Sequence, residues 1–375
     1  MTFTPPVPEH VRNLPPYIPG RSSPSVARDY GLPEDTIVKL ASNENPLGMS
    51  PLAREAMVKF AGDISRYPDS DGHDLKATLA EAFGVEPNWL TLGNGSSEIL
   101  ELVSRAFLGP GRGAVISQYC FAVYRTAIRV VGGRIVTVPA VDYGHDLDAM
   151  AAAVTEDVDL VIIGNPNNPT GTFFSQARFE EFLDKIGDRA VVLLDEAYGQ
   201  YLAPEDSFDS IGLVKRHPNL VVAHTFSKIY GLAGLRVGYS VAHPLLTDTL
   251  NRVRPTFNVS VLAQIAARAS FGDTDFLEKS RRLNQEGLMA LEAACRERGL
   301  EFVPSKGNFL LIRFPHATEM NTQLLKRGVV VRPVGNYGLE NWLRVTIGLP
   351  AEMQRFIEVM DEVSAEIAAD KSPDD

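Results

Sequence analysis

The sequence predicts an α/β protein: a mostly parallel sheet covered by helices on both faces, followed by a smaller α+β unit. Three observations carry this expectation. Apolar runs such as Asp159-Leu-Val-Ile-Ile163, Ala190-Val-Val-Leu-Leu194 and Leu220-Val-Val-Ala223 are separated by helical stretches, which is the pattern of strands buried on both faces. Polar groups gather where those strands end, at Asn168, at Asp195 with Tyr198, and at Ser227 with Lys228. Beyond Arg236 the pattern changes to long helical runs, 259–271 and 276–299, and then to short strands.

In chain order, residues 1–36 are rich in Pro, Arg and Ser, with Pro15-Pro16-Tyr17-Ile18-Pro19-Gly20 at their centre. Such a segment is expected as an extended arm. Ile37-Val-Lys-Leu40 reads as a short strand entering the turn Asn43-Glu44-Asn45-Pro46. Ser50-Pro51 starts a helix, with Ser50 as N-cap and Pro51 at the first helical position. After the loop Ser65-Arg-Tyr-Pro-Asp69, an amphipathic helix over 73–83 stops at Gly84. A strand at 90–92 meets Gly93-Asn-Gly-Ser-Ser-Glu98 and an apolar helix at 99–108. That arrangement makes an anion site, because free backbone N–H groups face the turn; glycine turns also open many helices that bind nothing. Strands at 113–117 and 134–138 flank a helix at 123–131, and a helix at 176–186 precedes the strand at 190–194. Short strands at 301–302, 309–312, 329–331 and 342–347, closed by a helix at 352–368, build the smaller unit. The expected division is an arm with part of the small domain at 1–49, a large domain at 50–265 and the small domain at 266–375.

The 375 residues carry a formal net charge of -11, which argues against a nucleic-acid or anionic-membrane partner. No stretch has the roughly 18 consecutive apolar residues of a membrane helix. The start, Met1-Thr-Phe-Thr-Pro-Pro6, has neither the basic region nor the apolar core of a signal peptide. Cys120 and Cys295 have neither a metal-ligand spacing nor a disulfide framework. The expectation is a cytoplasmic protein with no metal site.

Lys228 stands at the mouth of a buried sheet, where burial lowers an amine's pKa and suits it to attack a carbonyl. Alone, it reads more simply as a solvated lysine after a strand, and Asp195 alone as an N-cap. Three successive strands ending in reactive polar groups favour a ligand site at that sheet edge. Pyridoxal phosphate asks for this set of groups. Lys228 would meet its aldehyde, Asp195 its pyridine nitrogen, and Asn168 and Tyr198 its ring hydroxyl. Gly95, Ser96, Ser227 and Arg236 would form the phosphate cup, and Phe121 an aromatic face, though Phe121 suits core packing equally. The ring's positive charge is expected to hold the Asp195 carboxyl low.

Asn165-Pro-Asn-Asn-Pro-Thr-Gly171, Asp195-Glu-Ala-Tyr198, Ser227-Lys228 with Gly234-Leu-Arg236, and Ser65-Arg-Tyr-Pro-Asp69 match in order the motifs of the histidinol-phosphate aminotransferase family. Val11-Arg-Asn-Leu-Pro-Pro-Tyr17 resembles that family's N-terminal arm. The resemblance covers nearly the whole chain and implies the fold-type I architecture, with a seven-stranded sheet in the large domain. It implies pyridoxal phosphate on Lys228, and a homodimer in which Tyr67 reaches the other subunit's cofactor phosphate. It further implies Arg344 as the substrate-anion arginine, with Arg332 and Tyr17 helping to bind a substrate phosphate. Family members often have an acid where Ser97 stands. The implied reaction moves an amino group between L-histidinol phosphate and 2-oxoglutarate. An aromatic amino-acid aminotransferase is the near alternative, and a phosphothreonine decarboxylase a further one. A cofactor-binding sensor without turnover is the reading from another class, but the first 36 residues are too short and proline-rich for a DNA-binding module.

Overall fold

Side chains alternate across a strand, so each central strand divides its residues between two cores. Val161, Ile163, Val192, Leu194 and Val222 join one core with the helices Leu147–Ala152, Gln176–Ile186 and Ser210–Arg216. Leu160, Ile162, Leu193, Val221 and Ala223 join the other with Ser96–Phe107 and Ala122–Val130. Each buried Leu, Ile or Val contributes roughly 1.5–3 kcal/mol, so a sheet with two apolar faces forms only when both are covered.

The computed structural model describes residues 3, 5–16, 19–206 and 209–371. Its strands are β1 Val38–Lys39, β2 Leu90–Gly93, β3 Gly113–Ser117, β4 Arg134–Val138, β5 Val158–Gly164, β6 Val191–Asp195, β7 Leu220–Thr225 and β8 Gly238–Ala242, followed by β9 Phe302–Val303, β10 Phe309–Arg313, β11 Val329–Val330, β12 Arg332–Pro333 and β13 Trp342–Thr346. The large sheet has seven strands in the order β2-β8-β7-β6-β5-β3-β4. It is parallel from β4 to β7, and β8 runs antiparallel to both its neighbours. A second, antiparallel sheet, β12-β13-β10-β9, lies under Thr274–Glu297, Ala317–Lys326 and Pro350–Lys371. β1 pairs in parallel with β11, which ties residues 38–39 to the C-terminal unit. Among the described residues no helix is long and apolar enough to cross a membrane.

Three features differ from expectation. The first 36 residues are not simply extended: they contain helices Glu9–Arg12 and Ser23–Tyr30. In the second, Pro24 lies in the first turn, where its missing N–H costs nothing, and Val26 is fully buried against Ala41 and Val330. Strand β8 was not anticipated as a separate element. It runs antiparallel because residues 226–237 curl back through a short 3-10 turn and supply no helix to recross the sheet. A domain boundary at 265/266 would cut the helix Val261–Phe271, whose Ala263, Ala266 and Ala267 pack with Leu92, Tyr239 and Val241 of the large sheet. The chain instead turns at Gly272, and Asp273 caps the next helix by accepting from the Phe276 N–H.

Candidate active site

Neighbouring strands β5, β6 and β7 end side by side, with Asp195 in register with Gly164 and Ala223. Asp195 is the last residue of β6, Asn168, Tyr198, Ser227 and Lys228 follow these ends, and all five line one cavity of about 370 Å³. Ser96, Ser97, Phe121, Arg236, Arg332 and Arg344 complete its wall. Among the described residues lining it, Asp195 is the only acid, set against one lysine and three arginines.

The Lys228 Nζ donates to the Ser42 carbonyl at 3.0 Å. Burial, helped by the positive charges of Arg344 and Arg236, pushes its pKa down to about 7, so a large share of the amine is neutral near pH 7. Asp195 is 5% exposed. It accepts from the Tyr124 hydroxyl at 2.9 Å and the Ala197 N–H at 3.1 Å. Its pKa is nevertheless pushed up to about 6, because burial outweighs those donors and Lys228. The low value expected from sequence presumed a cation in contact with the carboxylate, which the protein's own groups do not supply. Tyr198 accepts from the Asn43 side-chain amide at 2.9 Å, and burial raises its phenol to about 12. It stays a neutral donor at any working pH.

An anion cradle closes one end of the cavity. Gly95 is the N-cap of Ser96–Phe107 and offers no side-chain acceptor to the helix's first N–H groups. Its φ of 75° and ψ of 169° lie in a region essentially reserved for glycine. A Cβ at Gly95 would stand 2.5 Å from the Arg236 guanidinium, and one at Gly238 would stand 2.5 Å from the Ser96 nitrogen. Arg236 in turn donates to the Ser227 hydroxyl at 3.1 Å. A helix N-terminus, a guanidinium and a hydroxyl around space that a Cβ would fill suit a phosphate. Ser97 lines the cavity as a neutral residue.

Arg332 and Arg344 form the other end. They are directly opposed on the antiparallel strands β12 and β13, and are 9% and 6% exposed. Arg344 donates to the Asn168 side-chain oxygen and, at 2.8 Å, to the Ala41 carbonyl. It thereby joins the small sheet to the end of β5. Both side chains line the cavity and carry positive charge to it, which suits an anionic ligand.

Phe121 sits at the cavity wall, edge-on to Tyr124 at 5.8 Å between ring centres. Tyr67 is not brought to this cavity: it is 82% exposed and stacks on Phe257 at 4.5 Å. Tyr17 lies outside the described residues. Sequence reading missed Tyr124, Asn43 and Ser42. Tyr124 had a faint signal, a hydroxyl-bearing ring on the apolar side of its helix three residues from Phe121. Asn43, at φ 55°, reads only as a turn residue. Ser42 acts through its backbone, which leaves no mark in a sequence.

A family model described as aminotransferase class I and II matches residues 35–360. A histidinol-phosphate aminotransferase of Cupriavidus pinatubonensis is 54% identical over 358 residues, covering 94% of this chain and 95% of its own. One from Ralstonia nicotianae is 53% identical over 366 residues, covering 96% and 98%. Among solved structures, histidinol-phosphate aminotransferase from Sinorhizobium meliloti in complex with pyridoxal-5'-phosphate superposes with a TM-score of 0.90 at 28% identity, covering 98% of this chain and 99% of that one.

Proposed function

We infer that this chain, which belongs to the class I and II aminotransferases and within them to the histidinol-phosphate aminotransferase family, transfers an amino group between L-histidinol phosphate and 2-oxoglutarate with pyridoxal 5'-phosphate. The observation that carries the substrate assignment is the opposed pair Arg332 and Arg344 in the cavity that Lys228 lines. A carboxylate needs one bidentate arginine; a phosphate, with more charge and a third oxygen, makes use of two.

The cradle of Gly95, Ser96, Ser227 and Arg236 would hold the cofactor phosphate, Asp195 the ring nitrogen, Asn168 and Tyr198 the ring hydroxyl, and Phe121 a ring face. Bound there, pyridoxal phosphate supplies an aldehyde that captures amines and a protonated ring that withdraws electrons from the substrate Cα. Lys228, neutral in good part near pH 7, would take the substrate's Cα proton on Nζ and release it to the cofactor's aldehyde carbon, on the far side of the substrate nitrogen. Asp195 keeps the ring nitrogen protonated, and the Tyr124 hydroxyl holds that carboxylate in place. Arg344 grips the carboxylate of glutamate or 2-oxoglutarate, and with Arg332 the phosphate of histidinol phosphate.

The unit of function in this reading is a homodimer. The exposed Tyr67, standing on Phe257 outside its own chain's cavity, supports a role toward a second copy. The proposed domains are an arm and part of the small domain at 1–49, a large cofactor domain from 50 to the turn at 272, and a small domain beyond it. A cytoplasmic setting is in keeping with Cys120 and Cys295, both buried and free.

The test is a panel of amino donors with 2-oxoglutarate, scored for ketone and for CO2. Histidinol phosphate should be the preferred donor, with no CO2 released. Arg332→Ala should lower kcat/KM for histidinol phosphate about 10- to 150-fold, the worth of one hydrogen bond to a charged group, and by less for an unphosphorylated donor. A preference for phenylalanine or tyrosine would make the aromatic aminotransferase the better reading, and CO2 release the decarboxylase.

A further inference from the structure

A second cavity, of about 560 Å³, adjoins the first and shares Gly20 and Arg332 with it. It lies between residues 14–16 and 19–21, the helix Ala122–Val130 and residues 321–336. Four arginines line it, Arg21, Arg125, Arg129 and Arg332, and none of its described lining residues is Asp or Glu. That is the reverse of the chain as a whole, whose net charge is -11. Arg21 is neutralised by an ion pair with Asp29. Arg125 donates to neutral acceptors, the Thr137 hydroxyl at 3.3 Å and the Gln118 carbonyl at 3.4 Å, and stands beside the Cys120 thiol, which burial keeps neutral. The Arg129 side chain is exposed and makes no ion pair or hydrogen bond among the described residues. Two whole positive charges therefore face this space, next to the arginine that the two cavities share. A concave basic wall concentrates anions ahead of the site it opens onto.

We propose that this second cavity is an anion-collecting antechamber, in which Arg125 and Arg129 gather substrates through their phosphate or carboxylate groups and pass them to Arg332. It rests on the reading above that both substrates carry a phosphate or two carboxylates. Arg129 also sits in the last turn of its helix, where a cation steadies the helix end. A purely structural role there would affect stability and would not distinguish one substrate from another.

The experiment measures kcat and KM for histidinol phosphate and for 2-oxoglutarate in the holoenzyme and in Arg125→Gln, Arg129→Gln, Arg129→Lys and Arg282→Gln. Arg282 lines neither cavity and is exposed, its ion pair a loose one with Glu286 at 3.9 Å, so its loss changes the net charge at a distance from both cavities. At low ionic strength each glutamine variant at 125 or 129 should lose about three- to tenfold in kcat/KM for both anionic substrates, through KM with kcat held. Near 1 M salt, where the screening length is about 3 Å, the deficit should vanish. Arg129→Lys should behave as wild type, as should Arg282→Gln. No deficit at low salt, a deficit that survives high salt, or an equal one in Arg282→Gln overturns the antechamber. If the wild type does not use histidinol phosphate, the assigned donor is wrong. The 2-oxoglutarate measurement, run with whichever amine the enzyme prefers, then still decides the antechamber.

Discussion

Gly95 is where the geometry makes its sharpest demand, and Gly95→Ala separates the cradle from the rest of the site. Two costs follow from the structure. At φ 75° and ψ 169° an L side chain is strained, by about 1–3 kcal/mol. Independently, the new Cβ would stand 2.5 Å from the Arg236 guanidinium, so Arg236 must leave its position beside Ser227. If Arg236 holds the cofactor phosphate, the variant forfeits a hydrogen bond to a charged group, about 1.5–3 kcal/mol. That is about 10- to 150-fold in affinity. The assay titrates apo-protein with pyridoxal phosphate and with phosphate-free pyridoxal, while denaturant unfolding reports stability. Affinity for pyridoxal phosphate should fall by that factor, affinity for pyridoxal should hardly change, and the apo-protein should lose about 1–3 kcal/mol. Gly109→Ala is the control: that position has open space around it and no left-handed φ. Equal losses for the two cofactor forms would refute the cradle, as would unchanged affinity in a Gly95→Ala protein of reduced stability.

Three further outcomes are expected. Lys228→Ala should lose both transamination and the cofactor attachment that borohydride fixes; a variant turning over normally would remove Lys228 from its role. Asp195→Asn should still bind cofactor but transaminate orders of magnitude more slowly, since the ring loses its electron pull. The wild-type carboxyl has its pKa raised to about 6, so it is charged above that pH and neutral below it. Cofactor affinity should therefore weaken as pH falls from 7 to 5, and much less so in Asp195→Asn. Mixing Tyr67→Phe with Lys228→Ala, each inactive alone, should restore part of the activity, whereas full activity of a dilute monomer would rule out shared sites.

Much of the fold was legible because many elements are defined by near neighbours. Ser50 caps its helix with Pro51 in the first turn, and the helix His73–Phe83 ends at the left-handed Gly84. Strands β3 and β4 begin and end where their apolar runs do. The groups at the ends of β5, β6 and β7 could be gathered from sequence because parallel strands put all their C-terminal ends on one edge. The helix Ser23–Tyr30 was hidden in a proline-rich segment, and what covers Val26 lies far along the chain, at Val330.

By itself the sequence determined which residues could do chemistry and which edge of the sheet would carry them, since residue type and strand direction are local properties. Only the tertiary structure decided their surroundings. It set Arg332 opposite Arg344 through the pairing of β12 with β13, and brought Asn43 to Tyr198 across 155 residues. It also put the Tyr124 hydroxyl on Asp195 and still left that acid's pKa raised. Charge state depends on burial and on every neighbour in three dimensions, and those neighbours come from segments whose meeting no local pattern encodes.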